Sequence, residues 1–170
     1  DNFRCSQLKF CKDIKTRNNP LSQACKISEF AMECIKNNYE RHDFVEDFML
    51  FNDSATLAVE VPVWLYPYEI PSELRNMLKI DKPLTGHIDI LQIRYGLIYV
   101  LDFKPNAHKE KPEKVASQLF AYALALSIRT NKWLRNFKCA WFDKDNYYEF
   151  SPGDFALEYF EKNKKELPEL

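Results

Sequence analysis

The chain reads as an α/β protein: a central mixed β-sheet of about five strands with helices on both faces. Three observations carry that reading. Helical and strand-like periods follow one another along 170 residues as helices, three strands, a helix, two strands and a helix. Leu97 to Leu101 is almost continuously apolar, as in a strand covered on both sides. From Lys111 the period lengthens, and Val115, Leu119, Tyr122, Ala123 and Leu126 form a helical stripe. A chain of this size with 46% hydrophobic residues builds one sizeable core, so a single domain over residues 1–170 is expected.

Taken in order, Asp1 to Asn19 is polar, mildly basic and aperiodic, and reads as a loosely packed arm or an entry helix. Asn19-Pro20 supplies an N-cap and a first-turn proline, which predicts a helix from there. Its stripe is Ile27, Phe30, Ala31, Cys34 and Ile35, and it ends or bends near Asn37-Asn38. Tyr39 to Phe51 carries a second helical pattern. Thr56 to Tyr66 is a strand in which Pro62 marks an edge or a bulge and Glu60 interrupts an apolar run. Pro71 to Leu78 is a short helix, and a Lys82-Pro83 turn leads into the next strand. His87 to Ile93 and Leu97 to Phe103 form a hairpin around Arg94, Tyr95 and Gly96. The helix from Lys111 runs to about Thr130, where Asn131 breaks it. Phe137 to Phe142 and Tyr147 to Phe150 form a second hairpin, and Ser151-Pro152 opens a helix to about Lys164.

Formal charge is −1, which argues against a general polycation. Between Lys104 and Lys138, however, eight lysines and arginines face only Glu110 and Glu113, a run that suits a solvated helix face or phosphate contacts. The five cysteines lack paired C-x-x-C spacing, which points to a reducing compartment. Cys25, Cys34 and Cys139 read as small packing residues. No run spans a membrane and no charged-then-apolar leader is seen, so a soluble cytoplasmic protein is expected, with nuclear, nucleoid or organellar placement left open. Asp1 in place of methionine reads as a processed chain or a piece of a longer one.

The chemistry concentrates around the first hairpin. Residues two apart on a strand share a face, so Asp102 and Lys104 project together. A two-residue Tyr95-Gly96 loop sets Asp89 directly opposite Asp102; a three-residue loop makes them diagonal neighbours. Either arrangement brings two carboxylates within about 4.5–8 Å, which is destabilising unless a cation or Lys104 sits between them. Gln118 and Tyr122 lie four apart on one helical face and can reach one ligand or each other. The bland alternatives are a surface Asp102–Lys104 pair, an edge-strand Glu60 facing water and a packing tyrosine. His87 is expected to point away from Asp89, and His108 to sit in a flexible basic loop. Trp64, Trp133 and Trp141 read as core or rim residues in preference to base-stacking platforms.

Glu60 in VEVPVWL, Asp89 in GHID, Asp102 and Lys104 in DFK, and Gln118 and Tyr122 in QLFAY together resemble the PD-(D/E)XK nuclease superfamily, and more narrowly its RecB-like branch. The resemblance covers residues 57–122. It implies a restriction-endonuclease-like core and a Mg²⁺- or Mn²⁺-dependent deoxyribonuclease, an exonuclease or a processor of single-stranded ends, acting by in-line attack of a metal-activated water. Glu60, Asp89, Asp102 and Lys104 would be catalytic, and Gln118 and Tyr122 substrate-positioning. Asp89, Asp102 and the Phe103 backbone carbonyl would hold metal. His42, the sole histidine before Glu60, is a further ligand candidate because such proteins often carry one on an upstream helix; Glu46 is a substitute. An iron–sulfur cluster is not expected, since only Cys139 lies beyond Cys34. The alternative is a catalytically inactive nucleic-acid-binding module of the same fold within a larger repair, defence or viral complex. DNA is the expected partner, with RNA left open, and no membrane is expected.

Overall fold

The computed structural model describes residues 3–35 and 41–163. Seven strands form one open mixed sheet: β1 (Phe3–Arg4), β2 (Arg17–Asn18), β3 (Thr56–Leu65), β4 (Leu84–Arg94), β5 (Leu97–Phe103), β6 (Phe137–Phe142) and β7 (Tyr147–Phe150). Five α-helices accompany them: α1 (Gln23–Cys34), α2 (Arg41–Asn52), α3 (Ser72–Leu78), α4 (Pro112–Thr130) and α5 (Pro152–Lys162). Across the sheet the order is β1, β4, β5, β6, β7, β2, with β3 antiparallel to β4. β5 and β6 are parallel and therefore need a crossover, which α4 supplies.

Helices cover both faces of the sheet. α4 and α5 pack with Val100, Cys139 and Trp141 in the larger core, while α1 and α2 close a second core over Ile90, Leu101, Phe103 and Phe142. β5 lies between β4 and β6, which is why its apolar run is unbroken: Val100 enters one core and Leu101 the other.

The N-terminal segment departs from the loose arm expected. Cys5, Leu8 and Cys11 are buried, and the backbone N–H groups of Phe10 and Cys11 donate to Ser117 Oγ at 2.8 and 2.9 Å. The segment crosses α4 as an irregular strap and adds β1 and β2, so the sheet has seven strands instead of about five. Cys5, Leu8 and Cys11 recur at every third position, yet the helical part of the segment is confined to the 3₁₀ turn Cys5–Gln7. α1 begins later than Asn19, with Ser22 as N-cap accepting from Cys25 N–H at 3.2 Å. Asn19 instead prolongs the β2–β7 ladder, its N–H donating to Tyr147 O. The buried face of α1 is Ala24, Cys25, Ser28 and Ala31; Phe30 and Cys34, expected inside, are exposed. The expected helix end at Asn37-Asn38, the start at Tyr39 and the end at Lys164 lie outside the described residues.

The first hairpin takes the two-residue form. Arg94 pairs with Leu97, and Tyr95 (φ 53°) and Gly96 (φ 75°) supply the two positive φ values of a type I′ turn. The register continues to Ile90 opposite Leu101, which sets Asp89 and Asp102 opposite each other where the ladder ends.

Candidate metal centre

One edge of β4 is shared between two strands. β1 pairs with Leu84 and Thr85, and β5 pairs from Ile90 onward, so Gly86 to Asp89 lie between the partners. Asp89 ends this gap, 9% exposed, and its Oδ2 accepts the Phe103 N–H at 3.2 Å. A side chain thus takes the place of a backbone acceptor. In extended backbone the N–H and C=O of one residue point to the same side, so the Phe103 carbonyl is directed toward the gap as well.

Asp102, 1% exposed, accepts from Lys104 Nζ at 2.8 Å through Oδ1, as strand parity requires. Among the described residues no donor reaches its buried Oδ2. His42 and Glu46 stand one turn apart on α2, with His42 Nδ1 2.5 Å from Glu46 Oε1 and His42 Nε2 3.2 Å from Asp89 Oδ2. From β3, Glu60 completes the group. The flanking pairs Val59–Ile90 and Val61–Ile88 set it across from Asp89, and its own backbone is left-handed, φ 50°. Such a conformation in a non-glycine residue is strained and breaks the pleat at this point. One ligand atom each from His42, Glu46, Glu60 and Asp89 lie within 4.8 Å of one another. Asp102 is outside that group and adjoins it through Asp89.

Electrostatics follow from this crowding. Burial, then the adjacent Asp89, pushes the Asp102 carboxyl well above the ordinary range. Burial works in the same direction on Asp89, but hydrogen bonding with Asp102 and His42 outweighs it and lowers its pKa. The two carboxyls therefore behave as a pair that resists losing its last proton. Burial raises Glu46 too, with Asp89 and Glu60 adding to it against His42. His42, hydrogen-bonded to Asp89 and then Glu46, is pushed up to about 10. Burial opposes the charge on Lys104, yet Asp102 prevails and its pKa rises. Three carboxylates, an imidazole and a buried oxygen without a donor form a set that could hold a divalent cation, which would relieve the repulsion now met by protons.

Gln118 and Tyr122 meet each other. Gln118 Nε2 donates to Tyr122 OH at 2.9 Å, and Tyr122 is buried against Gly86. A Cβ at Gly86 would stand 2.5 Å from Tyr122 Cε1, so the glycine three residues before Asp89 is there to admit the ring. Both residues border a groove of about 620 Å³ that runs from Asp89 past His87 and Trp64 to Arg4 and Ser6. The expectation for His87 is corrected by this groove: it lies two residues from Asp89, shares its side of the pleat and lines the same space.

The chain matches no family model, and no curated protein matches it. Sequence reasoning gave Glu46 only a reserve place, although its i,i+4 spacing from His42 on a helix was visible. Arg4 and Ser6 were missed; no local pattern carries the strand pairing that brings them to the groove. His108 sits in an ordered 3₁₀ turn, Ala107–Lys109, whose Ala107 N–H donates to Asp143 at 2.8 Å, instead of in a flexible loop. No helix among the described residues is long and apolar enough to cross a membrane.

Proposed function

We propose that this chain is a divalent-metal-dependent deoxyribonuclease of the PD-(D/E)XK type, RecB-like, on a restriction-endonuclease-like core. The observation that supports it is the meeting of Asp89, Asp102 and Lys104 with His42, Glu46 and Glu60 at the gap in the β4 edge. A carboxylate-rich set with one imidazole suits Mg²⁺ or Mn²⁺. When bound, such an ion supplies Lewis acidity and a water of lowered pKa.

The chain's own groups do the rest. Lys104, kept charged by Asp102, presents an ammonium that neutralises a phosphate oxygen as charge builds on it. His42 and Glu46 fix the Asp89 carboxylate from the helix side, and the Phe103 N–H fixes it from the strand side. Gln118 fixes the Tyr122 hydroxyl at the groove wall. An exonuclease or an end-processing enzyme is the form of activity proposed, by resemblance to the RecB-like branch.

The test is incubation with end-labelled single- and double-stranded DNA in Mg²⁺, in Mn²⁺ and in chelator. Cleavage is expected only with metal, and is expected to disappear in Asp102→Ala and Lys104→Ala variants whose circular dichroism is unchanged. Cleavage that persists in chelator, or in both variants, rules the reading out.

A further inference from the structure

Beyond the carboxylates, β3 presents a half-exposed tryptophan at the groove. Glu60, Pro62 and Trp64 occupy alternate positions along the strand, and Tyr66 follows its last residue. Pro62 pairs with His87 and Trp64 with Thr85, so these four side chains share one face of the sheet. Val63 and Leu65, on the other face, are buried. Trp64 is 48% exposed, and Tyr66 and Tyr68 are exposed with it.

The ring is also braced. The Arg129 guanidinium lies 4.9 Å from the Trp64 ring centroid and donates to Trp64 O at 3.1 Å. Glu69 holds that guanidinium by two hydrogen bonds of 2.8 and 3.1 Å. Tyr66 and Tyr68 stack with centroids 5.3 Å apart and 10° between their planes. A large apolar ring held rigid in water on an edge strand invites aggregation unless something covers it.

We propose that this face of β3 is a stacking track for an unpaired nucleic-acid strand, with Trp64 as the platform for a base beside the phosphate that Lys104 and a cation at the carboxylates would hold. The proposal rests on the nuclease reading for where that phosphate sits. Two properties favour this occupant. Trp64 and Asp89 line the same groove, and Arg4, which also lines it, brings positive charge to a strand that carries one phosphate per base. Every base has a π-face, so the exposed Trp64 ring can take an unpaired base whatever its sequence. Bases inside a duplex are already stacked and paired, and cannot lie on Trp64 without being extruded.

The experiment is fluorescence anisotropy in chelator, where no cleavage occurs, with a labelled unpaired DNA strand, the same strand in RNA, an abasic strand of equal length and a blunt duplex. Trp64→Ala should weaken the base-bearing strands by roughly 5- to 100-fold, the range for loss of one stacking platform. Trp64→Phe should restore most of it, and binding of the abasic strand and duplex should not change. Either sugar showing that pattern supports the track. A Trp64→Ala variant that binds base-bearing strands like the parent, or that loses the abasic strand equally, overturns it. Normal metal-dependent cleavage with unaltered binding in Trp64→Ala would sink the track alone; stacking-dependent binding without cleavage in any metal would sink the nuclease reading alone.

Discussion

At Glu60 the backbone holds a left-handed conformation inside a strand, which costs a residue with a Cβ about 1–2 kcal/mol. Glu60→Gly should therefore be more stable than Glu60→Ala by about 1 kcal/mol in urea melts, although both lose the carboxylate and the metal affinity with it. Gly86 is the opposite case. Its Cβ would collide with a buried, hydrogen-bonded tyrosine ring, so Gly86→Ala should destabilise by about 1–3 kcal/mol by thermal or chemical melt, as overpacking does. His42 makes stability depend on pH in the metal-free protein. Its folded pKa near 10 stands above the ordinary imidazole value of about 6.5, so its ion pairs contribute fully below that lower value. The contribution is lost as pH rises through the upper one. Urea midpoints of metal-free protein measured from pH 6 to pH 10 should show that loss, and His42→Gln should flatten it.

Among the elements, α4 does the most positioning, through one buried hydroxyl in particular. Ser117 Oγ accepts from two backbone N–H groups of the N-terminal strap and donates to Glu113 O at 2.6 Å. Ser117→Ala leaves the buried Cys11 N–H without an acceptor, at about 1–3 kcal/mol, and the half-buried Phe10 N–H loses the same partner. Amide exchange over the strap should accelerate, and since Arg4 and Ser6 line the groove, affinity for nucleic acid should fall with it. The bounds of α4 were plain in the sequence: the period changes at Lys111, one residue before the helix begins, and Asn131, φ 52°, closes it in the left-handed cap that asparagine tolerates. The buried face of α1 was legible only at Cys25 and Ala31, because small residues such as Ala24 and Ser28 line the rest of it while the larger Phe30 lies outside. Hydrophobic size is a poor guide where two helices approach closely.

For the whole molecule, the strap ties distant parts of the sheet, β1 joining β4 and β2 joining β7. A chain that starts at Asn19 should lack a cooperative thermal transition, since it exposes the core residues beneath Cys5, Leu8 and Cys11. That dependence could not be read from sequence, because the contacts to Ser117 span more than a hundred residues. The centre of the site could be read further. Strand parity gives Asp102 beside Lys104, and a two-residue turn at Tyr95-Gly96 gives Asp89 opposite Asp102 by counting. The same counting hides Glu60, whose reversed backbone no residue preference announces. α4 also sets what changes of chain length the protein can tolerate. Ser117, Gln118, Tyr122 and Arg129 serve the strap, the groove wall and the Trp64 brace from a single helix. One residue inserted midway along it would swing everything beyond by about 100° and put these contacts out of phase. Length changes should therefore accumulate in the segments on either side of that helix and be purged from within it.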